Sequence, residues 1–428
     1  MDFSAALQSD FGRDIERPRN NSNQVRFYYP YEDSNRFNAS YDRMNIGGLD
    51  VIKVSGFLGT FDQRTDQDRV PTPARARDIA RADVSASDFQ VRASAQKAFS
   101  GGRVEFGADV NGRFGLEAHD ILIQYDLAGN ITSNTDNLST ESAHRTDTGM
   151  FVEGDKALGA KVTLAGGLRV DYVSNVNEGG YFGDQSVSNG AAAGFGAITA
   201  KVASNTTLTA QVSRGFRDPT LSDRFYRGPT GRGFITGNPD LKPETSLQFD
   251  LGAQQTTGRL RMAGYYYYYR INDLVERYQT ETDFFFFRNR GRAEVKGFEF
   301  ETQADLSRGF SLEVAAQIGR GHAIDDDAAL DDISPDTISF VVRKAFTSRI
   351  GAYVRVANHA DDDRPGPSEI AAPGHTNLDL GASWQAIRGL EVRGLVRNLL
   401  NEQYYASPDP RWVYAAGING AVTVAVKF

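Results

Sequence analysis

The 428-residue sequence contains no cysteine, which excludes disulfides, thiolate metal sites and cysteine nucleophiles and leaves the cellular compartment open. No stretch approaches the roughly 18 consecutive apolar residues of a membrane helix, so helical membrane spans are excluded. Basic residues number 47 against 55 acidic ones, a formal charge of -8, and no Lys/Arg block offers a surface to nucleic acid. The opening Met1-Asp-Phe-Ser-Ala-Ala-Leu-Gln-Ser-Asp lacks the charged stretch, apolar core and small-residue cleavage site of a signal peptide. Two expectations follow: either the protein is not exported, or its true N-terminus lies upstream.

What is abundant points to strands. The chain has 43 Gly, 27 Phe and 18 Tyr but few long helix-forming runs, a usage that favours an all-β protein. Apolar and polar residues alternate with period two: Thr245, Leu247, Phe249, Leu251 and Ala253 against Ser246, Gln248, Asp250 and Gly252. The same pattern recurs at Phe298/Phe300 against Glu299/Glu301, at Leu378/Leu380/Ala382/Trp384 and at Val422/Val424/Val426/Phe428. About seventeen such strands can be read, roughly ten residues each, the length that crosses a bilayer at a tilt. Because lipid-facing and lumen-facing residues alternate, a transmembrane barrel is compatible with the mean hydropathy of -0.44.

The connections alternate in length, as outer-membrane barrels require and soluble sandwiches do not. Short links are read at 45–49, 100–102, 157–159, 204–205, 256–258, 307–309, 347–349 and 387–389. Longer segments fall near 62–85, 114–144, 173–192, 217–243, 278–282, 321–333, 359–374 and 400–418, of which only 278–282 is not long. Tyr265–Tyr269 and Phe284–Phe287 flank that short segment and read as part of an interfacial aromatic girdle. A final strand through Val422, Val424, Val426 and Phe428 is expected to pair with the first and close the barrel. Residues 1–36 are expected to be an extracellular loop or the remnant of a preceding strand, and 37–428 a single barrel domain.

Four stretches, in order and spacing, carry a family resemblance: Ser213-Arg-Gly-Phe-Arg-Asp-Pro-Thr-Leu-Ser-Asp223, Gly237-Asn-Pro-Asp-Leu-Lys-Pro-Glu244, Arg288-Asn-Arg-Gly-Arg-Ala-Glu-Val-Lys-Gly-Phe-Glu-Phe300, and Val396-Arg-Asn-Leu-Leu-Asn-Glu-Gln-Tyr-Tyr405 with the terminal Phe428. The chain thereby resembles the barrel of TonB-dependent outer-membrane receptors. Phe216, Arg217, Pro219, Asn238, Pro239, Leu241, Pro243, Glu244, Gly297, Phe298 and Glu299 are its motif residues, read as architecture because prolines stop strands and Asn-Pro favours a turn. The resemblance implies a barrel of about 22 strands filled by a plug domain that contacts TonB. About five strands and the whole plug find no counterpart here, so a truncated receptor is expected.

Ligand binding, if it lies on a loop, is expected between the paired motifs, at Arg217, Arg224, Tyr226, Arg227, Arg232 and Phe234, which offer cations and aromatic faces to an anionic or aromatic ligand. A solvated loop has the same composition. The histidine that the haem-uptake branch would carry between the motifs is missing, and Gly228–Gly237 leads into no helix that could cradle a phosphate. Acidic clusters at 325–327, 331–332 and 361–363 lack a calcium-loop pattern. The five histidines lack HExxH-type spacing, so no metal site is expected. His119-Asp120 and His322 near Asp325 have no Ser partner motif, so neither catalytic residues nor cofactors are expected. The resemblance implies uptake of a scarce nutrient across the outer membrane, most simply a ferric siderophore, with cobalamin, other metal chelates, oligosaccharides or a passive pore as alternatives. It implies as partners outer-membrane lipid and lipopolysaccharide, the barrel-assembly machinery, and the TonB complex through a plug.

Overall fold

The structure, a computed structural model, describes the chain except for residues 18–24, 231–232, 282–283, 409–412 and 428. It begins with β1 (Asp2–Arg17), β2 (Val25–Ile46), β3 (Leu49–Arg69), β4 (Asp78–Phe99), β5 (Gly102–Tyr125), β6 (Ile131–Leu158), β7 (Val162–Gly180), β8 (Asp184–Ala203) and β9 (Thr206–Arg217). A five-residue helix α1 (Leu221–Phe225) leads to β10 (Arg227–Thr230), β11 (Gly233–Thr236), β12 (Glu244–Thr257), β13 (Leu260–Asn272), β14 (Val275–Glu281), β15 (Phe284–Asn289) and β16 (Ala293–Asp305). The rest comprises β17 (Phe310–Ala323), β18 (Ala328–Ala329), β19 (Thr337–Ala345), β20 (Ile350–His359), β21 (His375–Ile387), β22 (Leu390–Arg397) and β23 (Asn419–Val426).

All but four of these strands join one antiparallel meander of nineteen, in which each long strand pairs with its neighbours along the chain. The two-residue β18 merely caps β17. Strands β10, β11, β15 and β14 form a separate four-stranded sheet. In lipid, backbone N–H and C=O groups find partners only within the protein, and a continuous antiparallel ladder supplies them. Among the described residues no ladder joins β1 to β23, and Phe428 lies outside them.

The period-two pattern separates the two faces. Leu247, Phe249 and Leu251 are exposed, as are Leu168, Val170 and Tyr172, and Val422, Val424 and Val426. In water each large apolar side chain left out of a core forgoes about 1.5–3 kcal/mol, so rows of them running strand after strand mark a wall built against lipid. The opposite face carries charge in pairs. Arg169 sits between Asp109 at 2.7 Å and Asp171 at 2.6 Å, Arg343 meets Glu313 at 3.0 Å, and Arg393 meets Glu391 at 2.6 Å. This is an all-β antiparallel transmembrane barrel wall.

The eight short links fall between strands as the sequence predicts, at 47–48, 100–101, 159–161, 204–205, 258–259, 306–309, 346–349 and 388–389. Four expectations need correction. Segment 278–282 is not a short loop: β13 ends at Asn272 and β16 starts at Ala293, with the hairpin β14–β15 between, whereas the links 126–130 and 181–183 at the same end are short turns that cap long strands. Of the two readings of residues 1–36, the extracellular loop does not hold for the described residues, since 2–17 form strand β1 and β2 runs unbroken across position 36. That extra strand makes the long strands even in number and puts Met1 at the short-turn end. The girdle divides: alternate tyrosines such as Tyr266 face outward, whereas Phe284–Phe287 belong to the small sheet, with Phe285 buried. Finally, segments 62–85, 114–144 and 173–192 are largely strand. The 28-residue β6 extends roughly 90 Å at about 3.3 Å per residue, so β3–β7 project well past the bilayer as twisted ribbons.

Candidate ligand-binding mouth

At the long-loop end, segment 218–243 folds onto the ribbons rather than standing free. Thr220 caps α1, its hydroxyl accepting from the Asp223 N–H while Asp223 accepts from the Thr220 N–H. The helix buries Leu221 and Phe225 against Ala86, Leu116 and Ala143 of β4, β5 and β6. Strand β10 then lies across the same ribbons, where Gln67 of β3 donates to the Thr230 carbonyl and the Arg227 N–H donates to Ser139 of β6 at 2.8 Å.

The paired motifs clamp this segment shut. Arg217 bridges Glu244 at 2.8 Å and Asp223 at 2.9 Å, and the other oxygen of Glu244 accepts from the Val275 N–H. Arg224 has no exposed surface and donates to the carbonyls of Pro239 and Leu241 at 2.8 and 2.7 Å. Its other edge lies 3.5 Å from Asp218, which accepts from Asn175 and Asn189. Burial pulls the Arg224 guanidinium below its ordinary pKa, partly offset by Asp218. Arg145 donates to the carbonyls of Asp218 and Pro219. Asn238 reaches the Phe287 carbonyl, and Asn289 grips both Lys242 N–H and C=O, tying the second motif to β15. Pro219 and Leu241 are buried. Gly297 lets the Tyr267 ring cross it directly: a Cβ there would strike the Tyr267 hydroxyl and the Ile318 carbonyl. Phe298 points outward, leaving Glu299 on the inner face.

The ligand candidates therefore divide. Arg217 and Arg224 are committed to internal pairs, and Tyr226 donates its hydroxyl to the Pro229 carbonyl with its phenol pKa pushed up by burial. Arg224 and Tyr226 have little to offer a ligand in this conformation, whereas Arg217, though paired, remains exposed. Arg227 and Phe234 keep part of their surface: Arg227 pairs with Asp120 at 3.2 Å and lies 4.6 and 4.8 Å from the rings of Tyr181 and Phe234. Arg232 lies outside the described residues.

Sequence reasoning missed a second feature of the mouth. His359 ends β20 and His375 opens β21 directly opposite it. Their rings stack 4.5 Å apart, and Tyr404 stacks on His375 at 3.9 Å. They line a cavity of about 410 Å³ with Ile333, Pro335 and Glu369. The signal was present: strand ends flanking a long loop oppose each other, and both ends here are histidine. The fourth motif supports this pocket, because Asn398 is buried and bonds to Asp379, Glu402 and Ala416 while Glu402 accepts from the Thr376 N–H.

The other candidate chemistries are dispersed. Asp325 and Asp326 are held by Arg292 and Arg290 at 2.6 and 2.8 Å. His119 bonds to Asp136 and Glu117, whereas its neighbour Asp120 faces Arg227 from the other side of the strand. His322 lies 3.2 Å from Asp327, not Asp325.

Comparison with known proteins agrees with this wall. Residues 2–399 match the family described as TonB dependent receptor-like, beta-barrel. No curated protein matches the chain by sequence. Among solved structures, the copper transporter OprC superposes with a TM-score of 0.78 at 17% identity, over 95% of this chain and 69% of that one. The ferric citrate transporter FecA gives 0.73 at 11% identity, over 100% and 67%. The ferric yersiniabactin uptake receptor FyuA from Yersinia pestis gives 0.68 at 13% identity, over 100% and 68%. At such identities the superpositions speak for the fold, and the family match places the protein in the outer membrane. The chain belongs to the TonB-dependent receptor β-barrel family.

Proposed function

We propose that this barrel takes up a metal chelate, with a ferric siderophore as the ligand class, and that uptake is driven by TonB through a plug domain. The observation that carries the reading is the end where the loops gather, which holds both an aromatic and imidazole-lined cavity of about 410 Å³ and, on other strands, the partly exposed Arg227–Phe234 pair. Flat faces and a cation suit an anionic, aromatic-bearing chelate better than an oligosaccharide, which calls for many hydrogen-bonding side chains. Transporters of copper, ferric yersiniabactin and ferric citrate share the fold, which supports metal-chelate uptake as a class.

The test is growth and radio-iron uptake by a gene deletion strain under iron limitation, with a panel of ferric siderophores, cobalamin and oligosaccharides. Loss of uptake for one siderophore, restored by the intact gene and weakened at least tenfold by His375→Ala with Tyr404→Ala, supports the proposal. Unchanged iron uptake with loss of cobalamin or sugar uptake overturns the ligand class. Loss of none, with steady ion conductance of the purified chain in a planar bilayer, favours the pore.

A further inference from the structure

The two ends of the barrel differ in charge. Although the whole chain is acidic, the eight short links contain Lys161, Arg259, Arg308, Arg349 and Arg388 and no Asp or Glu. Among the described residues none of these five has an ion-pair partner, in contrast to the paired arginines of the inner face. Beside them stand exposed apolar side chains: Phe99, Leu158, Leu306, Phe346 and Ile387. Two lysines near this rim lie over aromatic rings, Lys156 at 4.9 Å from Phe99 and Lys344 at 4.1 Å from Phe310. Cations directly beyond an apolar band match the level of lipid phosphates.

At one place the collar meets a groove. Lys344, Ala352, Ala382 and Gly394 stand opposite one another in register across β19, β20, β21 and β22. Ala352, Ala382 and Gly394 form the floor of a trough of about 720 Å³ in the lipid-facing wall, lined also by Val342 and Leu380, and Trp384 is exposed two residues from Ala382 on the same strand. The trough starts at Lys344, which donates one bond to the Arg308 carbonyl of the neighbouring turn and retains further donors. A Cβ at Gly394 would meet nothing within 4 Å, so the floor is open rather than packed.

We propose that the trough holds an acyl chain of an anionic phospholipid of the periplasmic leaflet, its phosphate on Lys344 with Arg349. Charge complementarity decides the occupant. A zwitterionic lipid would gain little from unpaired cations, whereas each cation near an anionic headgroup favours it roughly fivefold. The proposal requires only that the outer face touches lipid, and is independent of the transported ligand.

Trp384 reports on the site. With Trp412→Phe, Trp384 is the single tryptophan of the full chain, which is reconstituted in bilayers holding brominated phosphatidylglycerol or brominated phosphatidylcholine at equal mole fraction. The expected result is that phosphatidylglycerol associates beside Trp384 about 25 times more strongly, roughly fivefold for each of the two cations. The preference should fall close to one with Lys344→Ala and Arg349→Ala, and Gly394→Leu should weaken quenching from the chain-borne bromine. Circular dichroism of each variant confirms that the sheet is retained. Equal quenching by the two lipids, or a preference that survives both cation substitutions, overturns the proposal. Absence of quenching by either lipid would instead contradict the lipid-facing wall itself.

Discussion

Arg224 and Asp218 show how a motif that looks like a ligand site can be structural. Both side chains are fully buried, and the arginine satisfies two carbonyls that would otherwise lie unpaired beneath the mouth. Removing one member of a buried ionic network typically costs about 3–5 kcal/mol. Arg224→Ala is therefore expected to release segment 218–243, seen as rapid proteolytic cleavage there with the barrel intact; unchanged resistance would argue against the clamp. Gly297→Val forces a side chain into the Tyr267 ring and the β17 backbone, an overpacking worth about 1–3 kcal/mol, and should lower the thermal unfolding temperature. His119 titrates on a ribbon beyond the bilayer. Its hydrogen bond to Asp136 raises its pKa most, with Glu117 adding to the effect and burial opposing it. A raised histidine pKa stabilises the ribbon below the ordinary value near 6.5, and the gain disappears as pH rises through the folded-state pKa. Hydrogen exchange of the 117–136 ribbon should accordingly be faster for His119→Gln than for the parent at pH 6, and equal to it well above that pKa.

At the level of elements, legibility followed periodicity. Residues 245–253 alternate cleanly, and the structure has β12 there with the same residues outward, because a strand facing lipid on one side and water on the other leaves no other arrangement. Turn positions were equally plain, since glycine and small polar residues interrupt the pattern at each. The ribbons were not legible: Ile121-Leu-Ile123 of β5 is a consecutive apolar run and most of 132–145 in β6 is polar on both faces, so alternation fades and strand reads as loop. Hairpin β14–β15 was hidden because its Phe run resembles a girdle, although Phe285 is buried beneath Arg277, 4.8 Å from its ring. Nor did spacing reveal the His359–His375–Tyr404 stack, which joins three segments. Phe285→Ala should cost about 3–5 kcal/mol locally, loosening the hairpin in hydrogen exchange without altering β13 or β16; protection lost throughout would show the small sheet to be integral to the wall.

For the whole molecule, one face of this sheet meets lipid and the other meets water. The native absence of cysteine permits a direct measurement, a single-cysteine scan of residues 245–253 in the reconstituted chain with a membrane-impermeant and a lipid-soluble thiol reagent. Labelling is expected with period two, positions 246, 248 and 250 reacting with the aqueous reagent and 247, 249 and 251 with the lipid-soluble one. Uniform aqueous labelling along the segment would contradict it, because Leu247, Phe249 and Leu251 would then be facing water.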